Sequence, residues 1–259
     1  MIPDVLLALV AGLLLAAITT PVGVSGAVFL LPVQLSVLHV PSPAVTPTNL
    51  LYNVVAVPGA LLRYRRQGQL AGPLVRTMLA GAVPGVAIGA VLRVLVVSDA
   101  QTFRLIAGLV LLPLGLWLLV RDRVGLGATD RRAPGDRLIA ACGVVAGVVG
   151  GLYGIGGGSL LGPFLVSRGL PVRVVAPAAL ASTFVTSVAG CLTYLVLAAF
   201  RPGVVAPNWT LGIACGVGGL VGGQLGARLQ PRLPERLLTL ALGVLAAGLG
   251  VGYVLAAVG

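Results

Sequence analysis

Apolar stretches follow one another from one end of this 259-residue chain to the other, and no water-soluble fold can bury them all. They run at about 4–20, 27–38, 43–62, 73–92, 102–120, 137–152, 159–170, 174–200, 209–229 and 235–257. Hydrophobic residues make up 58% of the chain and charged residues 9%, with a mean hydropathy of +1.09. A soluble domain carries about 25% charged residues. Folded in water, this chain would expose apolar surface on an aggregating scale. The bilayer is therefore its solvent. The expected fold class is an all-α polytopic membrane protein with about eight to ten membrane segments.

All 17 basic residues are arginine, and the net charge is +11. Such a charge suits nucleic acid, but its placement argues against that partner. The arginines sit in short connections between apolar segments, the pattern of loops held on the cytoplasmic side. Cys142, Cys191 and Cys215 fall inside apolar stretches without metal-ligand spacing and read as small buried hydrophobes. Neither a metal nor a cofactor is expected. The first arginine is Arg63, so the N-terminus lacks the basic n-region of a signal peptide, and residues 4–20 read as a retained membrane segment.

Two stretches are too short to cross. Residues 27–38 and 159–170 hold 12 residues each, or about 18 Å as helix. Each follows a glycine-rich break: Gly23-Val-Ser-Gly-Ala-Val-Phe-Leu-Leu-Pro32 in one half, Gly154-Ile-Gly-Gly-Gly-Ser-Leu-Leu-Gly-Pro163 in the other, at an offset of 131. Pro84-Gly85 and Gly89 answer Gly218-Gly219 and Gly223 at an offset of 134. The chain thus reads as two five-segment repeats, 1–120 and 137–259, each with a glycine-broken helical hairpin, joined by an Arg-rich linker at 121–136. Paired broken segments in two related halves are the sequence sign of a transporter core.

Counting arginines orients the repeats. If each break is the tip of a hairpin, the halves are inverted and the arginines divide 14 to 3 between the two sides; if each broken pair makes one crossing, they divide 10 to 7. The positive-inside rule favours the first arrangement. It places a multi-pass protein in the cytoplasmic membrane (the inner membrane of a cell that has two), with both termini outside and the linker 121–136 in the cytoplasm.

A break inside a membrane segment frees backbone N–H and C=O groups that must face protein or a wet cavity. Where the chain restarts as a helix, near Ser159, unpaired N–H groups and the positive dipole end attract anions. No buried cation is needed. Gly154, Gly156, Gly157, Gly158 and Ser159 form the stronger candidate half-site. Thr20, Gly23, Ser25 and Gly26 form the weaker one. The third segment of each half adds polar groups: Thr48, Asn49 and Asn53 in one, Ser182, Thr183 and Thr186 in the other. Asn49 and Asn53, like Ser182 and Thr186, are four apart and share a helical face. Such groups either join helices or line a path. Isolated glycines such as Gly216, Gly219 and Gly223 read as packing positions.

Other chemistries fit poorly. The six acids, Asp4, Asp99, Asp122, Asp130, Asp136 and Glu235, lie at segment ends or in connections, so none is placed as a mid-membrane proton relay. His39 lies at the end of the first half-helix and reads as interfacial. The Gly154-x-Gly156 run lacks the strand and βαβ unit of a dinucleotide fingerprint. Gly23-Val-Ser25-Gly26 has the form found around intramembrane protease nucleophiles, but a nucleophilic serine needs a base. The single histidine stands at the far end of the adjoining half-helix. No enzyme activity is expected.

At Gly154–Leu165, its weaker copy Gly23–Pro32, the basic turn Arg63–Gln69, and Asn208-Trp209 before Gly218-Gly219, the chain resembles the sulfite exporter TauE/SafE family of membrane permeases. The resemblance covers nearly the whole chain and implies movement, often outward, of sulfite, organosulfonates or related sulfur-containing anions. One departure is that Ser25 and Ala27 stand where the family carries glycines. The expected function is a transporter of such an anion, bound near the midplane by half-helix N-termini. Its partners are the small anion and the lipid bilayer, and a homo-oligomer is compatible with the chain. The alternative is a non-transporting membrane scaffold or sensor with a glycine-packed core.

Overall fold

A computed structural model describes residues 2–69, 72–97, 100–120, 134–168, 170–200, 205–232 and 234–258. Ten α-helices among these residues follow the ten apolar stretches. They are α1 (Ile2–Thr19), α2 (Ala27–Pro32), α3 (Ser42–Arg66), α4 (Gly72–Leu95), α5 (Ala100–Val120), α6 (Asp136–Tyr153), α7 (Gly158–Ser167), α8 (Val172–Phe200), α9 (Trp209–Leu229) and α10 (Glu235–Val258). There is no strand among the described residues. Six helical spans among them are long and apolar enough to cross a membrane: 2–22, 44–66, 72–95, 136–153, 172–200 and 209–232. The protein is an all-α polytopic membrane protein. Most of the expected linker, residues 121–133, lies outside the described residues.

The short segments are half-length, as their sequences require. α7 has 10 residues, about 15 Å of helix. α2 has only six before it widens into a π-helical turn at Val33–Val37. Pro32 stands at the switch. It lacks the N–H that would continue the α-helical ladder, and Leu38 N–H reaches back to the Val33 carbonyl, at 2.9 Å, the π pattern.

The packing pairs exchange in an orderly way. α1 lies on α9 and α6 on α4; α3 touches α9 and α8 touches α4; α3 meets α8, and α5 meets α10. Numbering the helices one to five within each half carries every pair into another, or into itself, when the halves are swapped. The self-paired helices run antiparallel. Leu50 of α3 clusters with Tyr194 of α8, and Tyr64 with Leu180. Gly108, on α5, faces Val254, and Gly243, on α10, faces Leu119.

Glycine sets the closest approaches. A Cβ at Gly81, Gly85 or Gly89 of α4 would strike the carbonyls of Ala140, Val144 and Val148 on α6. The spacing of four puts these glycines on one face, and small residues let the two backbones touch. Gly216 and Gly219 of α9 instead face side chains, those of Val55 and of Ala56 and Tyr52. Outward faces carry Leu14, Leu109, Val145, Leu192, Val221 and Val244, all exposed, as lipid contact requires.

Candidate functional site at two interrupted helices

Both breaks are built on left-handed glycines. α1 runs into a 3₁₀ turn that ends at Gly23, φ +76°. α6 ends at Gly154, φ +73°, whose N–H bonds the Gly150 carbonyl at 2.8 Å. Gly156 follows at φ +72°. A side chain would be strained at all three. Space is closed there too, since a Cβ on Gly23 would meet Ala176 and one on Gly154 the Thr46 carbonyl.

The two tips meet. Ser25 N–H donates to Ser159 Oγ at 3.2 Å across the halves. Ser159 Oγ in turn lies 3.1 Å from the Ile155 carbonyl and 3.3 Å from Thr183 Oγ1. Gly157 N–H donates to Thr186 Oγ1 at 3.1 Å, and that hydroxyl donates to the Ser182 carbonyl at 2.7 Å. Gly158 lies against the Ala179 carbonyl of α8. On the first tip, Ser25 Oγ donates to Asn53 Oδ1 and accepts from Ala27 N–H at 3.1 Å, capping the start of α2. Gly26 lies under the Tyr52 hydroxyl.

The asparagines tie the tips to α3. Asn53 Nδ2 donates to the Gly154 carbonyl at 3.3 Å, and Asn49 Nδ2 to the Ala27 carbonyl at 2.8 Å and the Tyr153 carbonyl at 3.4 Å. Each asparagine therefore touches both breaks or both tips. Thr20 holds its place through its carbonyl, which accepts from Gly23 N–H at 3.0 Å. Thr48 turns away. Its hydroxyl donates to the Ala44 carbonyl and accepts from Asn208 N–H at the start of α9, at 2.8 Å. All these side chains are buried, and so is Ser187; Asn49 Oδ1, Tyr52 OH, Ser182 Oγ and Ser187 Oγ have no hydrogen-bond partner. Buried polar atoms are almost always paired, so this centre holds donor and acceptor capacity that the protein itself does not use.

His39 is exposed at the far end of the π-helical turn, with φ +51°, while the Ser25 hydroxyl is engaged by Asn53.

Three residues escaped the sequence reading. Arg93 belongs to α4 rather than to a connection, and it is 1% exposed. Its guanidinium donates to the Val97 carbonyl, to the Ser42 carbonyl and hydroxyl, and to Thr46 Oγ1 at 3.3 Å. Thr46 then donates to the Leu152 carbonyl at 3.1 Å, just ahead of the second break. Arg93 thus departs from the expectation that the arginines sit in connections between apolar segments. The readable signal was the apolar run Val94–Val97 continuing past Arg93. Tyr64 and Tyr194 donate to the Thr20 and Gly151 carbonyls at 3.3 and 2.9 Å. Thr20 precedes Gly23 as Gly151 precedes Gly154, so each half holds the end of its own interrupted helix with a tyrosine.

A multi-pass helical bundle whose two interrupted helices meet tip to tip is the class that this fold and centre define. A family model described as "Sulfite exporter TauE/SafE" matches residues 8–253, and the chain belongs to that family. Over 73 residues it is 38% identical to "Sulfite exporter TauE/SafE family protein 3" of Arabidopsis thaliana. That match covers 27% of this chain and 15% of the relative's length.

Proposed function

We propose that this protein is a membrane permease for a small sulfur-containing oxyanion, such as sulfite or an organosulfonate, bound between the two tips. The observation that carries the reading is the Ser25–Ser159 contact across the halves, surrounded by buried hydroxyls and amides with spare hydrogen-bonding capacity. Separating the tips would free Ser25 N–H, and the Ser159 hydroxyl would then have to turn its proton from the Ile155 carbonyl to meet an anion. Thr183 Oγ1, Asn53 Nδ2 and Gly157 N–H stand close by as further donors. Donors of this kind, at the start of α7, favour an anion without a buried positive charge at the contact. Because the tips touch and their residues are buried, the conformation corresponds to a closed state between two open ones.

The exchange of packing partners, with antiparallel α3–α8 and α5–α10, supports inverted halves. A twofold axis that pairs antiparallel helices runs perpendicular to them, in the membrane plane, and rocking about such a repeat is a common route to alternating access. Without Arg93, which is buried within α4, the arginines divide 14 to 2, a bias that favours a cytoplasmic position for the Arg-rich ends of α3 and α9.

The competing reading, a scaffold or sensor with a glycine-packed core, draws on the α4–α6 glycine row. Flux from proteoliposomes separates the two. The permease reading predicts protein-dependent flux of sulfite, thiosulfate or a small sulfonate that Ser159→Ala lowers about tenfold or more, the order of one lost charge-assisted hydrogen bond. Absence of flux with every anion in the panel would favour the scaffold.

A further inference from the structure

The ends of α3 and α9 enclose a second feature that the tips do not involve. Leu62, Arg63, Arg66, Gln224 and Arg228 line one cavity of about 50 Å³. A water needs about 10–15 Å³ of such space, so the cavity suits a few waters or one compact oxyanion. The side chains of three arginines and a glutamine thus line a single small volume. Arg63 Nε is buried and has no hydrogen-bond partner.

Two ordinary explanations for arginines at helix ends fall short here. The first is that they cap free carbonyls. Three of the last carbonyls of α3 are already occupied by backbone: Gln67 N–H serves Arg63 and Tyr64, Gly68 N–H serves Arg65, and Gln69 N–H serves Tyr64. At α9, Gln230 N–H serves Gly226. The second is the general basic bias of one membrane face. Arg66 and Arg228 are exposed as that bias asks, but it does not account for the buried, unpaired Nε of Arg63.

The other end of the bundle shows what the fold needs at this place. The matching positions of the partner half carry Val196 for Leu62, Leu197 for Arg63, Phe200 for Arg66, Ala90 for Gln224 and Val94 for Arg228. There Ala90, Val94 and Leu197 pack in one apolar cluster with Leu50 and Tyr194. Val196 and Phe200 are exposed there. That end does without charge at these five positions, so the three arginines at the Arg-rich end are an addition. Like charges gathered in a small space repel, and a guanidinium fork matches an oxyanion in two bonds at once.

We propose that the cavity between the C-terminal ends of α3 and α9 binds a tetrahedral or pyramidal oxyanion, either free in solution or as the phosphate of an anionic lipid headgroup. The site is independent of the tips and stands whether or not they bind substrate.

The test uses full-length protein in nanodiscs, with radiolabelled sulfate as the probe. In neutral phosphatidylcholine discs, wild type binds sulfate, and Arg63→Gln and Arg228→Gln each weaken binding about tenfold. Arg66→Gln serves if one of those does not fold. Discs containing phosphatidylglycerol separate the two sources. If the lipid headgroup is the occupant, phosphatidylglycerol displaces sulfate and is retained by wild type on detergent extraction but not by the variants. If a free anion is the occupant, sulfate binding is unaffected by the lipid. The arginine variants should weaken sulfate binding to the same extent in a Ser159→Ala background, where the tips are impaired, so failure of the tip reading and failure of the cavity reading give different results. Sulfate binding and lipid retention that are the same in wild type and in the arginine variants would overturn the proposal.

Discussion

Ser25 and Gly156 hold matching places in the two breaks, yet they leave the two tips unequal. Ser25 spends its hydroxyl on Ala27 N–H and Asn53. At Gly156 there is no side chain to do so, and the residue matching Asn53, Ser187, keeps its hydroxyl unpaired beside it. The second tip therefore has more to offer a ligand. A parallel asymmetry involves Arg93. Arg93 and Thr46 bond each other, whereas their counterparts in the other half, Ala227 and Leu180, share an apolar cluster with Tyr64. Arg93→Met would strand the Ser42 and Val97 acceptors, at about 1–3 kcal/mol for each buried one. The thermal midpoint of the detergent-solubilised protein should fall by several degrees, as intrinsic fluorescence would show; an unchanged midpoint would mean the arginine is idle. Glycine, serine and asparagine positions at the centre were readable because such residues have no reason to interrupt a lipid-facing helix. Arg93 was not, because one charge near a segment end looks like a loop residue. Thr48 was readable as polar but not as facing α9, since its face depends on which neighbour packs there.

At the scale of elements, hydropathy alone located the ten helices, because a chain in lipid must close its backbone bonds within each segment. It did not show the π-helical turn after Pro32. Nor did it show which glycines touch another backbone. Gly85 meets the Val144 carbonyl, while Gly248 on α10 has nothing within 4 Å of the place a methyl would take. Gly85→Ala should therefore destabilise the fold by about 1–3 kcal/mol, the usual range for overpacking. Gly248→Ala should be neutral or stabilising by up to about 1 kcal/mol, the helix-propensity difference. Thermal unfolding of the two variants side by side checks this, and equal effects would remove the packing account of the α4–α6 row.

For the whole molecule, the proposed transport requires that the two interrupted helices, which touch in this structure, part to admit an anion. Matching glycine breaks suggest two inverted halves whose tips approach each other near the midplane, but the particular bond from Ser25 N–H to Ser159 Oγ could not be read, because it depends on side-chain packing across the halves. The direct measurement is anion flux through a Ser25→Cys/Ser159→Cys variant in proteoliposomes, in an otherwise cysteine-free background. Oxidation should link the tips and stop sulfite flux, and reduction should restore it. Undiminished flux through protein whose tips are fully cross-linked would contradict the account.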